Sequence, residues 1–217
     1  MNFKTLSILL TGLLPASRLK NFLLRRNGWK IEPEVKIGPN IFIKTSNVKL
    51  QKRAEIRPFN IFRNISLEIG SNSVLGSFNW IGSAIALSGL PNYRGILSLG
   101  EHSAVNSRNY FDVSGGVYIG NFSDLAGVRS TFVTHQIDLE RAAQTCNEIR
   151  IGSHTMICSN SLFVPGGTNI GERCLFAMGS VIRAGTYPAG GLYAGTPAVL
   201  KKQTSGDWFF RDSGKVE

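Results

Sequence analysis

Three histidines, His102, His135 and His154, are the side chains of this 217-residue chain whose unperturbed charge changes near neutral pH. His135 follows Thr134 at the start of a polar and charged stretch, Val133 to Arg150. A histidine held at such a boundary can take the proton of a weak nucleophile, a service of roughly 10²–10⁴ in rate. A lone loop histidine is otherwise surface decoration. No Ser-His-Asp set accompanies His135, so no covalent intermediate is implied. His102 and His154 each stand three residues after an aliphatic residue, Leu99 and Ile151, and are expected to face solvent. The three histidines are 33 and 19 residues apart, without the close pair that a zinc site favours. Cys146, Cys158 and Cys174 are odd in number and form no C-x-x-C. They read as packing residues in a reducing compartment.

The element that must position His135 is legible as a period of six. Apolar residues fall at Ile69, Leu75, Ile81 and Leu87, and at Leu99, Val105, Phe111 and Val117. The phase slips by two, and Ile119 and Leu125 resume it. Ile151, Ile157 and Phe163 follow, then Ile170, Phe176 and Ile182. Glycine often comes next, as at Gly70, Gly100, Gly120 and Gly152, and is expected to help the chain turn. The fourth residue on is often small, as at Ser73, Ser103, Ser123 and Thr155. Neither a helix nor an alternating strand has this period. It belongs to β-helix solenoids, in which three hexads make one triangular coil. About five coils are expected, beginning near Ile37–Ile43. Residues 49–68 and 88–98 fit the period poorly and are expected to bulge or bridge. The stretch 133–150 is expected to be a loop thrown out of the solenoid, a usual place for function.

Composition agrees with a globular chain, 42% hydrophobic and 18% charged. The net charge of +10 calls for an anionic partner. No zinc-finger spacing, RNP-like motif or recognition-helix pattern points to nucleic acid. No strand-G-x-G-x-x-G-helix unit is present either. Near the N-terminus, Phe3, Leu6, Leu9, Leu10, Leu13 and Leu14 share one helical face, and Pro15 ends the helix. Ser17 can cap a second helix carrying Leu19, Phe22 and Leu23 beside Arg18, Lys20, Arg25 and Arg26. The apolar run is too short to span a bilayer. Residues 1–30 are expected to be retained, either capping the solenoid or holding it against the inner face of the cytoplasmic membrane.

At this point the chain resembles the hexapeptide-repeat acyltransferases, in particular sugar O-acetyltransferases of the galactoside and maltose type. The resemblance spans about residues 35–202. It rests on the repeat, on Val133-Thr134-His135 at the origin of the loop, and on the run Phe176–Ile182 followed by Tyr193-Ala194-Gly195-Thr196-Pro197-Ala198. It implies an all-β, left-handed parallel β-helix over residues 31–202, after a short helical segment (1–30) and before a tail (203–217). It implies a cytoplasmic homotrimer with acetyl-CoA as cosubstrate, no metal, no nucleic-acid partner and a carbohydrate acceptor. Carried over residue by residue, His135 is the base and Asn106 contacts the acceptor hydroxyl. Ser159 offers its backbone N–H to the acetyl thioester. Met178 and Gly179 line the pantetheine arm, and Arg183, Lys201 and Lys202 meet phosphate. Two positions depart from the family pattern. Met156 stands where a tryptophan is common beside the histidine, and Val199 where a basic residue is common.

The implied reaction moves an acetyl group from acetyl-CoA to a hydroxyl of a surface polysaccharide or its precursor by direct attack. The partner that orients His135 is expected to be a backbone carbonyl, with Asp112, Asp124 and Asp138 as weaker candidates. Arg129, Arg141 and Arg150 surround the loop and suit either an anionic acceptor or plain solvation. Competing readings are a nucleotide-sugar N-acetyltransferase, a non-catalytic structural solenoid and a γ-class carbonic anhydrase. The last needs three histidines converging on zinc.

Overall fold

The structure, a computed structural model, describes residues 3–212. Residues 1–2 of the helical segment and 213–217 of the tail lie outside the described residues. Between them the chain winds into a three-sided prism of parallel sheets. Face 1 has eight strands, from Lys30–Ile31 to Gly185–Tyr187. Face 2 runs from Lys36–Ile37 to Gly191–Ala194 and ends on the antiparallel strand Val199–Gln203. Face 3 has seven strands, from Ile41–Ile43 to Val181–Ile182. Each winding visits the faces in order, so seven turns are complete where the period suggested about five.

The period of six places one residue per strand inside. Phe111 pairs with Phe132, and Phe132 with Phe163, along face 3. Their rings stack at 4.4 Å in both steps. Phe42 and Phe62 do the same at 4.7 Å in the first turns. Each such burial contributes roughly 1.5–3 kcal/mol. Face 1 strands are longer and send two residues inward, as with Leu97 and Leu99 or Val117 and Ile119. That doubling is the phase slip seen after Val117. Residues 49–68, expected to bulge, instead form ordinary rungs with Leu50, Ile56, Phe62 and Leu67 buried. The stretch expected at 88–98 does leave the prism, from the short turn Ile85–Leu87 until the face 1 strand resumes at Ile96.

The corners correct the expected role of glycine. Gly70, Gly100, Gly120 and Gly152 do not make the turn. The left-handed conformation falls two residues later, on Asn72, His102, Phe122 and His154, with φ of 54–58°. Glycine is required because the next coil presses on it: a Cβ at Gly120 would lie 2.6 Å from the Ser153 nitrogen. Small polar residues then satisfy the backbone inside the corner. Ser103, Ser123 and Thr155 each donate a backbone N–H to the hydroxyl one coil below, at 2.9–3.1 Å. Asn40, Asn60, Asn79 and Asn109 build a matching ladder at the next corner.

Two helices close the first turn: α1 (Phe3–Gly12) and α2 (Arg18–Arg26). Gly12 lies flat on Asn40 and Phe42, and Asn40 donates its N–H to the Gly12 carbonyl at 2.8 Å. Ser17 caps α2 by accepting the Lys20 N–H. The fully buried Lys20 ammonium donates to the carbonyls of Gly12, Leu14 and Gly38 at 2.7–2.8 Å. Burial pushes its pKa down to about 8. At the other end, the turn Asp207–Phe210 folds back, and Arg211 reaches the Phe122 carbonyl and Asp124. Among the described residues no helix is long and apolar enough to cross a membrane.

Candidate active site

His135 begins a β-hairpin, His135–Asp138 paired antiparallel with Ala143–Cys146, which grows from the edge between faces 3 and 1. The stretch expected as a loop is thus an ordered pair of strands. Its base is closed by His135 opposite Cys146 and by the Asn147 N–H donating to the Thr134 carbonyl at 2.8 Å. Asp138 accepts the N–H groups of Glu140 and Arg141 and shapes the tip. The hairpin fixes the backbone of the histidine, so its ring direction depends on what lies below.

What lies below is Asp112, at the end of the face 3 strand Tyr110–Asp112. Its side chain is 4% exposed, and its Oδ2 is 2.8 Å from His135 Nδ1. This carboxylate, and not a backbone carbonyl, is the orienting partner; Asp124 and Asp138 have other contacts. Its remaining lone pairs are also engaged. Oδ2 accepts the Thr134 N–H at 2.7 Å and lies 2.7 Å from the Thr134 hydroxyl. Oδ1 accepts the Ser114 hydroxyl at 2.6 Å and the Ser114 N–H at 3.2 Å. Burial by itself raises the carboxyl pKa, but the hydrogen bonds from Ser114, His135 and Thr134 outweigh it and hold the group below its ordinary value. Asp112 is therefore an anion at neutral pH and an acceptor only, which selects the Nδ1–H tautomer. Nε2 is then the basic nitrogen of a ring 38% exposed, with no protein partner among the described residues.

Burial first, and then the Asp112 charge, push the Cys146 thiol up, which keeps it inert. Asn92, Arg94, Gly115, Asn147 and Glu148 bound a recess of about 250 Å³ beside the hairpin base. A recess of about 950 Å³ lies at the opposite end between α2 and the first corner, remote from His135.

The other candidates fall on two different edges. Asn106, Ser159, Met178 and Gly179 share the edge between faces 2 and 3, each just after a face 2 strand. The Gly179 N–H donates to the Ser159 carbonyl at 3.0 Å, and Ser159 Oγ accepts the Val128 N–H at 3.1 Å. Met178 is exposed, and Gly179 takes the left-handed corner position with φ 74°. Asn106 is also exposed; the inward asparagine of that corner is Asn109. Arg183 lies on the same edge as His135, further along the axis. Lys201 and Lys202 lie on the antiparallel strand that ends face 2. Within one chain, face 3 separates His135 from the Asn106 edge. His102 and His154 occupy a third edge, between faces 1 and 2, where their rings sandwich Phe122 at 4.9 Å.

Comparison with solved structures gives the architecture a name. A hexapeptide-repeat-containing acetyltransferase from Vibrio cholerae is 22% identical, with 64% of this chain and 74% of that one covered at a TM-score of 0.51. A maltose O-acetyltransferase from Clostridium difficile 630 is 17% identical, covering 64% and 70% at 0.53. A mutant of AntD, an N-acyltransferase from Bacillus cereus, in complex with dTDP and coenzyme A, is 16% identical, covering 87% and 90% at 0.58. The fold is that of the hexapeptide-repeat acyltransferases. No family model matches the chain. In this left-handed parallel β-helix, the His135 hairpin is an excursion from the edge between faces 3 and 1. Asp112 is the candidate site residue that the sequence ranked too low, and Ser114 went unread. Counting the 21-residue step from Phe111 to Phe132 would have placed Asp112 one coil below Val133.

Proposed function

We propose that this protein is an acetyl-CoA-dependent O-acetyltransferase acting on a sugar hydroxyl of a surface polysaccharide or its precursor. The observation that carries the reading is the Asp112–His135 pair, with Nε2 turned outward from a rigid edge. His135 Nε2 takes the proton of the attacking hydroxyl as its oxygen bonds to the thioester carbonyl carbon. The C–S bond then breaks, and the sulfur leaves with the proton that His135 returns. Asp112 stabilises the imidazolium between these steps without accepting the proton itself. The backbone N–H of Ser159 is the nominated donor to the oxyanion. Met178 and Gly179 suit a pantetheine arm, being an exposed apolar side chain beside a bare corner. Lys201, Lys202 and Arg183 suit phosphate, and Asn106 the acceptor hydroxyl.

These groups meet only between chains, so the reading includes a cytoplasmic homotrimer in which one protomer supplies His135 and its neighbour the Asn106–Ser159–Met178 edge. Exposed Phe59, Phe78, Trp80, Tyr110 and Leu162 on that edge and on face 3 support a protein-covered surface. Mixed oligomers of His135→Ala and Asn106→Ala should regain part of the activity that each lacks alone. No recovery, or a monomer mass in light scattering, would contradict the shared site. N-acylation of a nucleotide-linked amino sugar is the second reading, favoured by the longer match to AntD. Incubation with acetyl-CoA and parallel panels of hydroxyl and amino sugars, with mass detection of a gained acetyl group, decides between them.

A further inference from the structure

The N-terminal helices bury the wrong side for a simple cap. The α1 residues set on the solenoid are Ile8, Thr11 and Gly12, and α2 buries Lys20 and Leu24. The apolar stripe faces outward: Phe3, Leu6, Leu10 and Leu13 of α1 and its end, with Leu19 and Phe22 of α2, are 41–87% exposed. A cap that needed only the solenoid would place leucine inward and lysine outward. Here the lysine is held inside by three carbonyls, and the leucines are left in water. Soluble proteins rarely leave so many apolar side chains exposed on two adjoining helices without a partner.

Charge says what that partner is. The first acidic residue of the chain is Glu32, so the helical segment carries basic residues alone. Residues 1–63 hold 13 of the 24 Lys and Arg but only 3 of the 14 Asp and Glu. The remaining residues hold 11 of each, so the whole net charge of +10 lies at the end where the leucines are exposed. Arg18 and Arg26 flank the patch, and the Arg26 guanidinium lies 5.7 Å from the centre of the Phe22 ring. Apolar side chains ringed by cations fit an anionic lipid surface: acyl chains receive the leucines, and headgroup phosphates receive the arginines.

We infer that α1 and α2 dock the protein flat on an anionic membrane, with Leu10, Leu13, Leu19 and Phe22 inserted and Arg18 and Arg26 at headgroup level. The inference is independent of the acyl-transfer reading. Flotation of the full chain with vesicles rich in phosphatidylglycerol tests it against vesicles of phosphatidylcholine alone. The protein should float with the anionic vesicles at low salt, far less at about 0.5 M salt, and not with the neutral ones. Replacing the four inserted residues by glutamine should cut partitioning at least about tenfold without lowering the melting temperature, because all four are solvent-exposed. Arg18→Gln with Arg26→Gln should cost roughly 30-fold and serves as the arbiter if the glutamine variant is less stable. Absence of flotation would overturn the inference, as would equal flotation of both variants. So would a self-association that the glutamine variant dissolves while the parent ignores vesicles.

Discussion

Two edges of the prism carry histidine beside buried polar residues, and they use them differently. On the edge between faces 1 and 2, Ser73, Ser103, Ser123 and Thr155 form a ladder whose hydroxyls bond only backbone. His102 and His154 there sit in left-handed corner positions that other coils give to Asn72, Phe122 and Arg173, and they stack on Phe122. On the edge between faces 3 and 1, a carboxylate replaces the small hydroxyl. Asp112 has more bonds than it needs to be satisfied, and one of them points an imidazole outward. Burying a charge that the ladder does without costs stability unless it is paired and hydrogen-bonded. The repeat itself is a structural device. The candidate site lies where one corner departs from it.

The sharpest contrast is between histidines. His135→Ala should lower acyl transfer by roughly 10²–10⁴ with the fold intact, while His102→Ala and His154→Ala should stay within a few-fold of the parent. Initial rates with one confirmed acceptor measure all three. A large loss from either corner histidine would erase the distinction between the edges. Asp112→Asn should follow closely, with roughly 10²–10⁴ lost in kcat and little change in acyl-CoA affinity, because the amide no longer enforces the Nδ1–H tautomer. A rise in KM alone would make Asp112 a binding group.

The ladder should show the reverse pattern. Ser123→Ala strands the Thr155 N–H inside the corner and should cost roughly 1–3 kcal/mol in denaturant unfolding, with unchanged turnover per folded molecule. Asp112 also gives an acid signature. Its folded pKa lies below the unfolded value, so its ionised form stabilises the protein above about pH 4 and that contribution is lost as pH falls through the folded value. The stability gap between the parent and Asp112→Asn should therefore narrow as the pH falls below about 4. A gap that failed to narrow in acid would contradict an Asp112 that is ionised in the fold. At the C-terminal contact, Arg211→Gln should cost roughly 1–3 kcal/mol, because it strands the Phe122 carbonyl and the largely buried Asp124 carboxylate.

What the sequence made legible follows from which features are periodic. The solenoid shows because one inward residue per six is a local rule, and His135 shows because it interrupts that rule. Asp112 was harder to see, since its partner lies 23 residues on and the two meet only when coils of 21 residues stack. The excursions at 84–95 and 133–148 vary coil length, which hid the register on both sides of the site. The second turn was misread because Lys44, Lys49 and Lys52 interrupt the apolar pattern with outward-facing residues that leave the interior unchanged. The orientation of the N-terminal stripe was also out of reach. An amphipathic helix announces an apolar face, but only Gly12 set against Phe42 shows that the small face is the one turned inward.

The central claim is that Asp112 acts through His135. A double-mutant cycle on kcat tests it directly, using His135→Ala, Asp112→Asn and the two together. Groups that work as one unit are strongly non-additive. The double variant is predicted to be no slower than His135→Ala alone, within a few-fold. Losses that multiply across the cycle would show two independent contributions and contradict the account.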